Sequence, residues 1–184
     1  RYWANFAYQG SYFKDRENYR GLSEEKVSVD FGSDLWEVGL GDTTVNISEL
    51  TQTSMSEDGA RFSFNKSPMS CMVFDLEKKG ISFNENLRGG RIATDVIDNT
   101  ELGVNFLETE EDKIDLSASR LPEKRRILSF STSHELEEVL IDAEYAKSAF
   151  DEGAGEKDDS AWWVSSKLKK EKLYLTGEYI YAGS

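Results

Sequence analysis

The densest set of side chains with binding chemistry lies at the start of the chain: Tyr2, Trp3, Phe6, Tyr8, Tyr12, Phe13 and Tyr19. Aromatic rings give large contact area at small entropic cost, so they anchor protein interfaces and stack on sugars. In an extended segment Tyr2, Phe6 and Tyr8 share one face. They are expected either as the first strand of the core or as an arm that a partner covers. Trp162-Trp163 is the second aromatic feature, and a strand would send its two indoles to opposite faces, one inward and one outward beside Tyr179 and Tyr181. Carboxylates are the other resource. Glu37 and the same-face pair Glu108 and Glu110 offer the two-carboxylate apparatus of glycoside hydrolysis. In a chain with 35 acidic residues such pairs arise many times, and Glu108 to Asp112 reads better as a charged turn.

The remaining reactive residue types are sparse. A single cysteine, Cys71, and a single histidine, His134, exclude an internal disulfide, a zinc site of Cys and His ligands and a Cys/His protease. Asp151, Glu152, Glu156, Asp158 and Asp159 supply hard oxygen donors near Gly153 and Gly155, but not at the spacing of an EF-hand loop. They predict a solvated acidic loop, and neither a metal nor any other cofactor is expected. Lys167, Lys169, Lys170 and Lys172 form a basic run that discourages edge pairing rather than a nucleic-acid patch. Gly89-Gly90 before Arg91 reads as a hairpin turn.

Most of the chain has the pattern of short strands. Segments such as Val27 to Phe31, Leu35 to Leu40, Thr43 to Ile47, Arg61 to Phe64, Ser70 to Leu76, Arg91 to Ile97, Leu102 to Leu107, Lys113 to Ala118 and Arg125 to Ser131 are rich in β-branched and aromatic residues. Ala161 to Val164 and Leu173 to Tyr181 follow near the end. Turn formers separate them at Ser56 to Gly59, Lys79-Gly80, Gly89-Gly90 and Asp98-Asn99. One stretch differs. Leu136, Val139, Leu140, Ala143, Ala146 and Phe150 recur at three- and four-residue intervals, and Thr132 stands three before Glu135 as in a capping box. This predicts a helix from about Thr132 to Phe150. The fold class expected is mainly β: one domain over residues 1–184, an antiparallel barrel or sandwich of about ten strands with one amphipathic helix near the C-terminus.

Composition narrows the function. The chain has 184 residues, 22 basic against 35 acidic, for a net charge of −13 and a pI near 4.6. Such a charge disfavours nucleic acid and favours basic partners. Hydrophobic content of 38% with 12% aromatic is that of a folded domain. No apolar run reaches the roughly 18–20 residues of a membrane helix, so no integral membrane segment is expected and the chain is read as soluble. It opens at Arg1 with no apolar leader core, so whatever preceded it has been cleaved or lies outside the sequence.

In the order of its elements the chain resembles lipocalin-like barrels, which implies a small-molecule carrier. The resemblance is architectural: the Gly-x-Trp signature is absent, Trp3 being preceded by Arg1-Tyr2, and no site residue follows from it. The leading expectation is a non-catalytic acidic binding or assembly module. It would contact a basic protein partner through Tyr2, Trp3, Phe6, Tyr8, Trp162, Trp163 and the helix-borne Glu137 and Glu138. The alternatives are a barrel for a small hydrophobic or glycan ligand, and a carboxylate-dependent glycan-active enzyme. An acidic inhibitor that imitates a nucleic-acid backbone is a variant of the first.

Overall fold

The computed structural model describes residues 1–14, 20–51, 55–79, 83–97, 99–113, 123–151, 156–170 and 173–183. They form eleven strands: β1 (Tyr2–Lys14), β2 (Arg20–Ser33), β3 (Trp36–Val45), β4 (Met55–Lys66), β5 (Met69–Lys79), β6 (Phe83–Ile97), β7 (Thr100–Lys113), β8 (Glu123–Leu136), β9 (Val139–Asp151), β10 (Glu156–Lys170) and β11 (Leu173–Gly183). All belong to one antiparallel sheet in simple sequence order. Each strand is 10 to 15 residues long, about the 9–11 or more that a tilted membrane-crossing strand needs.

The connections fall into two classes. At one end of the sheet two residues separate each pair of strands, at 34–35, 67–68, 98–99, 137–138 and 171–172. At the other end the separations are longer, at 15–19, 46–54, 80–82, 114–122 and 152–155. Asn99 and Glu137 take positive φ (62° and 46°), the left-handed conformation that lets a two-residue hairpin follow the twist of its strands.

Cross-strand partners in an antiparallel ladder share a face, so the register carries each face across the sheet. One row runs Ala4, Phe31, Val38, Phe62, Val73, Gly90, Phe106 and Leu128. The next runs Trp36, Phe64, Cys71, Ile92, Val104, Phe130, Tyr145, Trp162 and Tyr181. This face is apolar and open to the surroundings, with Ile92 59% and Phe130 53% exposed. The opposite face carries Asn105 and Ser129, both at 0%, and Glu144 at 2%. The polarity of the sheet is therefore inverted relative to a water-soluble β-protein: polar groups are covered and a belt of apolar groups is bare.

A small apolar cluster lies on the covered face, where Val45, Phe74, Leu76, Leu87, Leu107, Ile127 and Ala146 pack around Ile47. Ile47 belongs to segment 46–51, which follows β3 and folds over the covered face instead of leaving the sheet.

Three expectations about local structure are corrected. No helix occurs among the described residues. The stretch expected to be helical holds the end of β8, the 137–138 turn and β9. Within β9, Val139, Ile141, Ala143 and Tyr145 take the bare face, and Leu140, Asp142, Glu144 and Ala146 take the covered one. The apolar residues fit both repeats, and tertiary context decides. Every position of β9 from Val139 to Asp151 is paired with β8 or β10, so a helix would strip two neighbouring strands of their ladder. Gly89-Gly90 is not a turn but the middle of β6. A Cβ on Gly89 would sit 2.5 Å from the Phe106 carbonyl oxygen and 2.7 Å from the Phe74 ring, so the glycine makes room for that ring against the sheet. Ser56 to Gly59, expected as a turn, lies within β4.

Candidate functional site

The most elaborate side-chain arrangement holds segment 46–51 against the covered face. It is built from strand positions that alternate with the apolar belt, which is why β6 to β9 can each supply a polar group there. Arg91 on β6 reaches in from one side. Its Nη1 donates to the Ile47 carbonyl oxygen at 3.0 Å and to Asn105 Oδ1 at 3.2 Å, and its Nη2 donates to Glu101 at 2.5 Å. Asn105 Nδ2 passes the network to Ser129 Oγ at 2.9 Å, and Ser129 meets Thr51 Oγ1 at 2.8 Å.

Glu144 on β9 closes the arrangement from the other side. Its Oε1 accepts from Ser48 Oγ at 2.6 Å and from Thr51 Oγ1 at 3.2 Å, and its Oε2 accepts from the Leu50 backbone N–H at 2.8 Å. A covered carboxylate is costly unless its lone pairs are engaged, and here segment 46–51 supplies the donors. Arg91 and Glu144 thus form a clasp, and Ile47 is the apolar pin beneath it.

The clasped segment lies beside two hollows. One, of about 210 Å³, is lined by Asn46, Ser48, Glu49, Arg91, Ser131, Asp142, Glu144, Trp163 and Lys167. The other, of about 430 Å³, is lined by Thr51, Met55, Glu57, Lys78, Glu85, Thr109, Arg125 and their neighbours. Lys167 lies 3.8 Å from Asp142 in the first. Elsewhere on this face Arg61 is bonded to Glu37 and lies 3.8 Å from Asp30. Acidic groups exceed basic ones along the described covered face: Asp30, Glu37, Glu57, Glu85, Asp95, Glu101, Glu111, Glu135, Asp142, Glu144, Asp159 and Glu178 stand against Lys26, Arg61, Lys78, Arg91, Arg125 and Lys167.

The residues singled out from the sequence do not come together. Tyr2, Phe6 and Tyr8 lie along the bare face of β1, and Trp3 on its other face. Trp162 is 51% exposed on the bare face, its ring 4.4 Å from that of Tyr145. Trp163 is covered, and its Nε1 donates to Glu178 at 2.6 Å. Glu137 and Glu138 are turn residues rather than part of a helix face. Glu37 is engaged by Arg61, and Glu108 by Lys124 at 3.0 Å and Arg126 at 2.9 Å. His134 Nδ1 meets Thr100 Oγ1 at 2.7 Å on β8 and β7. Of the stretch expected as a solvated acidic loop, Asp151 ends β9, Glu156, Asp158 and Asp159 belong to β10, and Glu152 lies outside the described residues, as does most of Lys113 to Ala118; no group of three or more potential metal ligands forms among the described residues.

The clasp residues Arg91, Asn105, Ser129, Glu144 and Thr51 were not singled out. Their signal is visible in retrospect in Leu102-Gly-Val-Asn-Phe-Leu107 and Leu128-Ser-Phe-Ser-Thr132, where small or polar residues alternate with large apolar ones. Alternation does not say which set faces inward.

No protein-family model and no curated protein sequence matches the chain.

Among solved structures the chain is similar to OmpT, an outer membrane protein of Vibrio cholerae. For the in-vitro folded protein the TM-score is 0.69 at 10% identity, over 97% of this chain and 66% of that one. For the mutant lacking loop L8 the TM-score is 0.66 at 10% identity, over 97% and 70%. The chain thus spans about two thirds of the length of these outer-membrane β-barrels, and what it shares with them is the fold. This likeness, with the bare apolar face, overturns four expectations together: the soluble chain, the acidic module contacting a basic protein, the absence of an integral membrane segment, and the lipocalin-like reading. No helix of the described residues is long and apolar enough to cross a membrane, but a barrel crosses with strands. Long apolar runs mark helical spans only, whereas membrane-crossing strands alternate.

Proposed function

We propose that the chain is the wall of an outer-membrane β-barrel channel, with segment 46–51 narrowing its lumen. The observation that carries the reading is the inverted sheet: an apolar belt outside, a polar face inside. In hydrocarbon backbone N–H and C=O groups must be paired within the protein, and the antiparallel meander does this through its ladders for β2 to β10, while β1 and β11 each pair on one side only among the described residues. The belt rises across the sheet, from Tyr2, Ala4, Phe6 and Tyr8 on β1 to Leu175, Tyr179 and Tyr181 on β11, as tilted strands require. The long connections belong at the outer surface and the two-residue turns at the periplasmic side.

The covered face then lines water. Its hollows beside segment 46–51 are the approaches to a constriction held by Arg91 and Glu144. The acidic excess along the lining favours cations, because charged rings near a narrowing select by sign.

Planar-bilayer recording of the full-length chain tests this. Discrete conductance steps are expected, with a reversal potential shifted toward cations in a salt gradient. Glu144→Ala removes all three acceptor contacts to the segment and should raise single-channel conductance. A chain that stays in water and gives no steps overturns the reading.

A further inference from the structure

Strand β3 leaves β2 partway along its length. Their register runs from Gly32↔Glu37 to Ser28↔Gly41 and stops, although β2 extends back to Arg20 beside β1, and β3 extends on to Val45 beside β4. We infer that Gly41, Asp42 and Arg61 form a hinge and latch that turns the end of β3 away from β2, and that Arg61 is thereby a positioning residue for the constriction. The inference rests on the channel reading above, since segment 46–51 begins where β3 ends.

The hinge is set by backbone chemistry. Gly41 has a φ of 82°, and a Cβ there would run into the Val27 carbonyl oxygen, so glycine keeps the strands in contact at the point where they part. One residue on, Asp42 Oδ2 accepts from the Val27 N–H at 2.7 Å. A straight ladder would have given that amide a backbone carbonyl, and the side chain replaces it. Continued straight, the register would set Lys26 opposite Thr43 and Glu25 opposite Thr44, and would return segment 46–51 to the wall. In the bent course Val45 and Ile47 are instead covered, at 1% and 3% exposure, within the apolar cluster.

The latch is Arg61 on β4. Its Nη1 donates to the Thr44 carbonyl oxygen at 2.9 Å and its Nη2 to the Glu37 carboxylate. Glu37 precedes the hinge and Thr44 follows it, so one rigid guanidinium fork spans the bend. Gly39 leaves the space: a Cβ there would lie 2.6 Å from Thr43 Oγ1, 2.9 Å from Asp30 Oδ1 and 3.6 Å from Arg61 Nε. With Glu37 bonded and Asp30 at 3.8 Å, the charge of Arg61 is compensated in place, and its effect on the lumen comes through β3. Bent and straight courses compete for the same backbone groups, as the two arrangements of a switch do, and these residues favour the bent one.

Planar-bilayer recording of the full-length chain tests the latch. Arg61→Met removes both contacts and should raise single-channel conductance as much as Glu144→Ala does. In a Glu144→Ala chain, whose segment is already released, Arg61→Met should add nothing. No rise, or effects that add in full, would overturn the inference, because a lumen charge acts whether or not the segment is clasped. Lys26→Cys with Thr43→Cys, in a Cys71→Ser chain, tests the straight course independently. Oxidation should join the two thiols, which a continued register brings within disulfide reach, and should lift the conductance; reductant should reverse both. No bond, or a bond that leaves conductance unchanged, would overturn the inference while the channel stands. A chain that enters no bilayer, or enters one without conducting, would overturn the channel reading and the hinge with it.

Discussion

Outward, strands β6 to β9 present Ile92, Val104, Phe130 and Tyr145 in one continuous row. Inward, one residue away along each strand, they present Arg91, Asn105, Ser129 and Glu144. The backbone is common to both faces, and so is the ladder that satisfies it. What differs is the solvent each face is built for. The inward face excludes water locally by hydrogen-bonding segment 46–51 to itself, with Ile47 and its apolar neighbours as the small dry centre. The outward face has no protein cover among the described residues, which is tolerable where the surroundings are lipid tails. A single alternating sequence therefore serves two environments, and the stability of each face should respond to different tests.

The largest expected effect is on the inward face. Leu76 is 1% exposed within the Ile47 cluster, and Leu76→Ala should cost about 2–5 kcal/mol through lost burial and a residual cavity. The cost should be similar in detergent micelles and in bilayers, because the site never meets lipid. Denaturant titration in both media checks this. A cost that vanishes in one of them would show that the cluster is not the inner core.

Next comes the outward face at mid-belt. Val104→Arg should destabilise the bilayer-inserted protein by about 2–4 kcal/mol, the range for a cation near the midplane of a barrel. On a soluble protein the same exposed position would change stability by only about 0.5 kcal/mol or less. Titrating the wild type and the variant in lipid vesicles separates these outcomes, and the smaller value would break the contrast between the two faces.

The contrast also explains what could be read from the sequence. Strand content was legible, since Arg91 to Ile97, Leu102 to Leu107 and Arg125 to Ser131 all fall within strands, as does the opposition of Trp162 and Trp163. Turn position was partly legible: Asn99 has the side chain that its left-handed turn conformation favours, whereas Gly89-Gly90 has turn chemistry in a strand because Phe74 needs the space. The helix misreading came from β9, whose Leu140, Ala146 and Phe150 belong to one face and Val139 and Ala143 to the other. Environment was not legible at all. A period of two fixes that faces alternate, and nothing in Val104-Asn105-Phe106 states whether valine or asparagine looks inward. The clasp was equally hidden, because Glu144 and Thr51 are 93 residues apart and meet only through the sheet.

The smallest expected effect concerns the aromatic boundary of the belt. Tyr145 and Trp162 lie directly opposite on β9 and β10, with ring centroids 4.4 Å apart and planes tilted by 42°. Such a pair contributes about 0.5–1.5 kcal/mol beyond the area it buries. A double-mutant cycle of Tyr145→Leu and Trp162→Leu isolates that coupling, because leucine keeps each site apolar. The coupling should be present both in micelles and in bilayers, since the rings touch each other whatever surrounds them. The single-mutant costs should not behave alike. In bilayers each indole or phenol also gains from the headgroup region, so Trp162→Leu should cost more there than in micelles. Trp163→Leu, one residue along and covered, loses its bond to Glu178 and should cost the same in both. A medium-dependent cost at Trp163 with none at Trp162 would reverse the assignment of inside and outside for this end of the sheet.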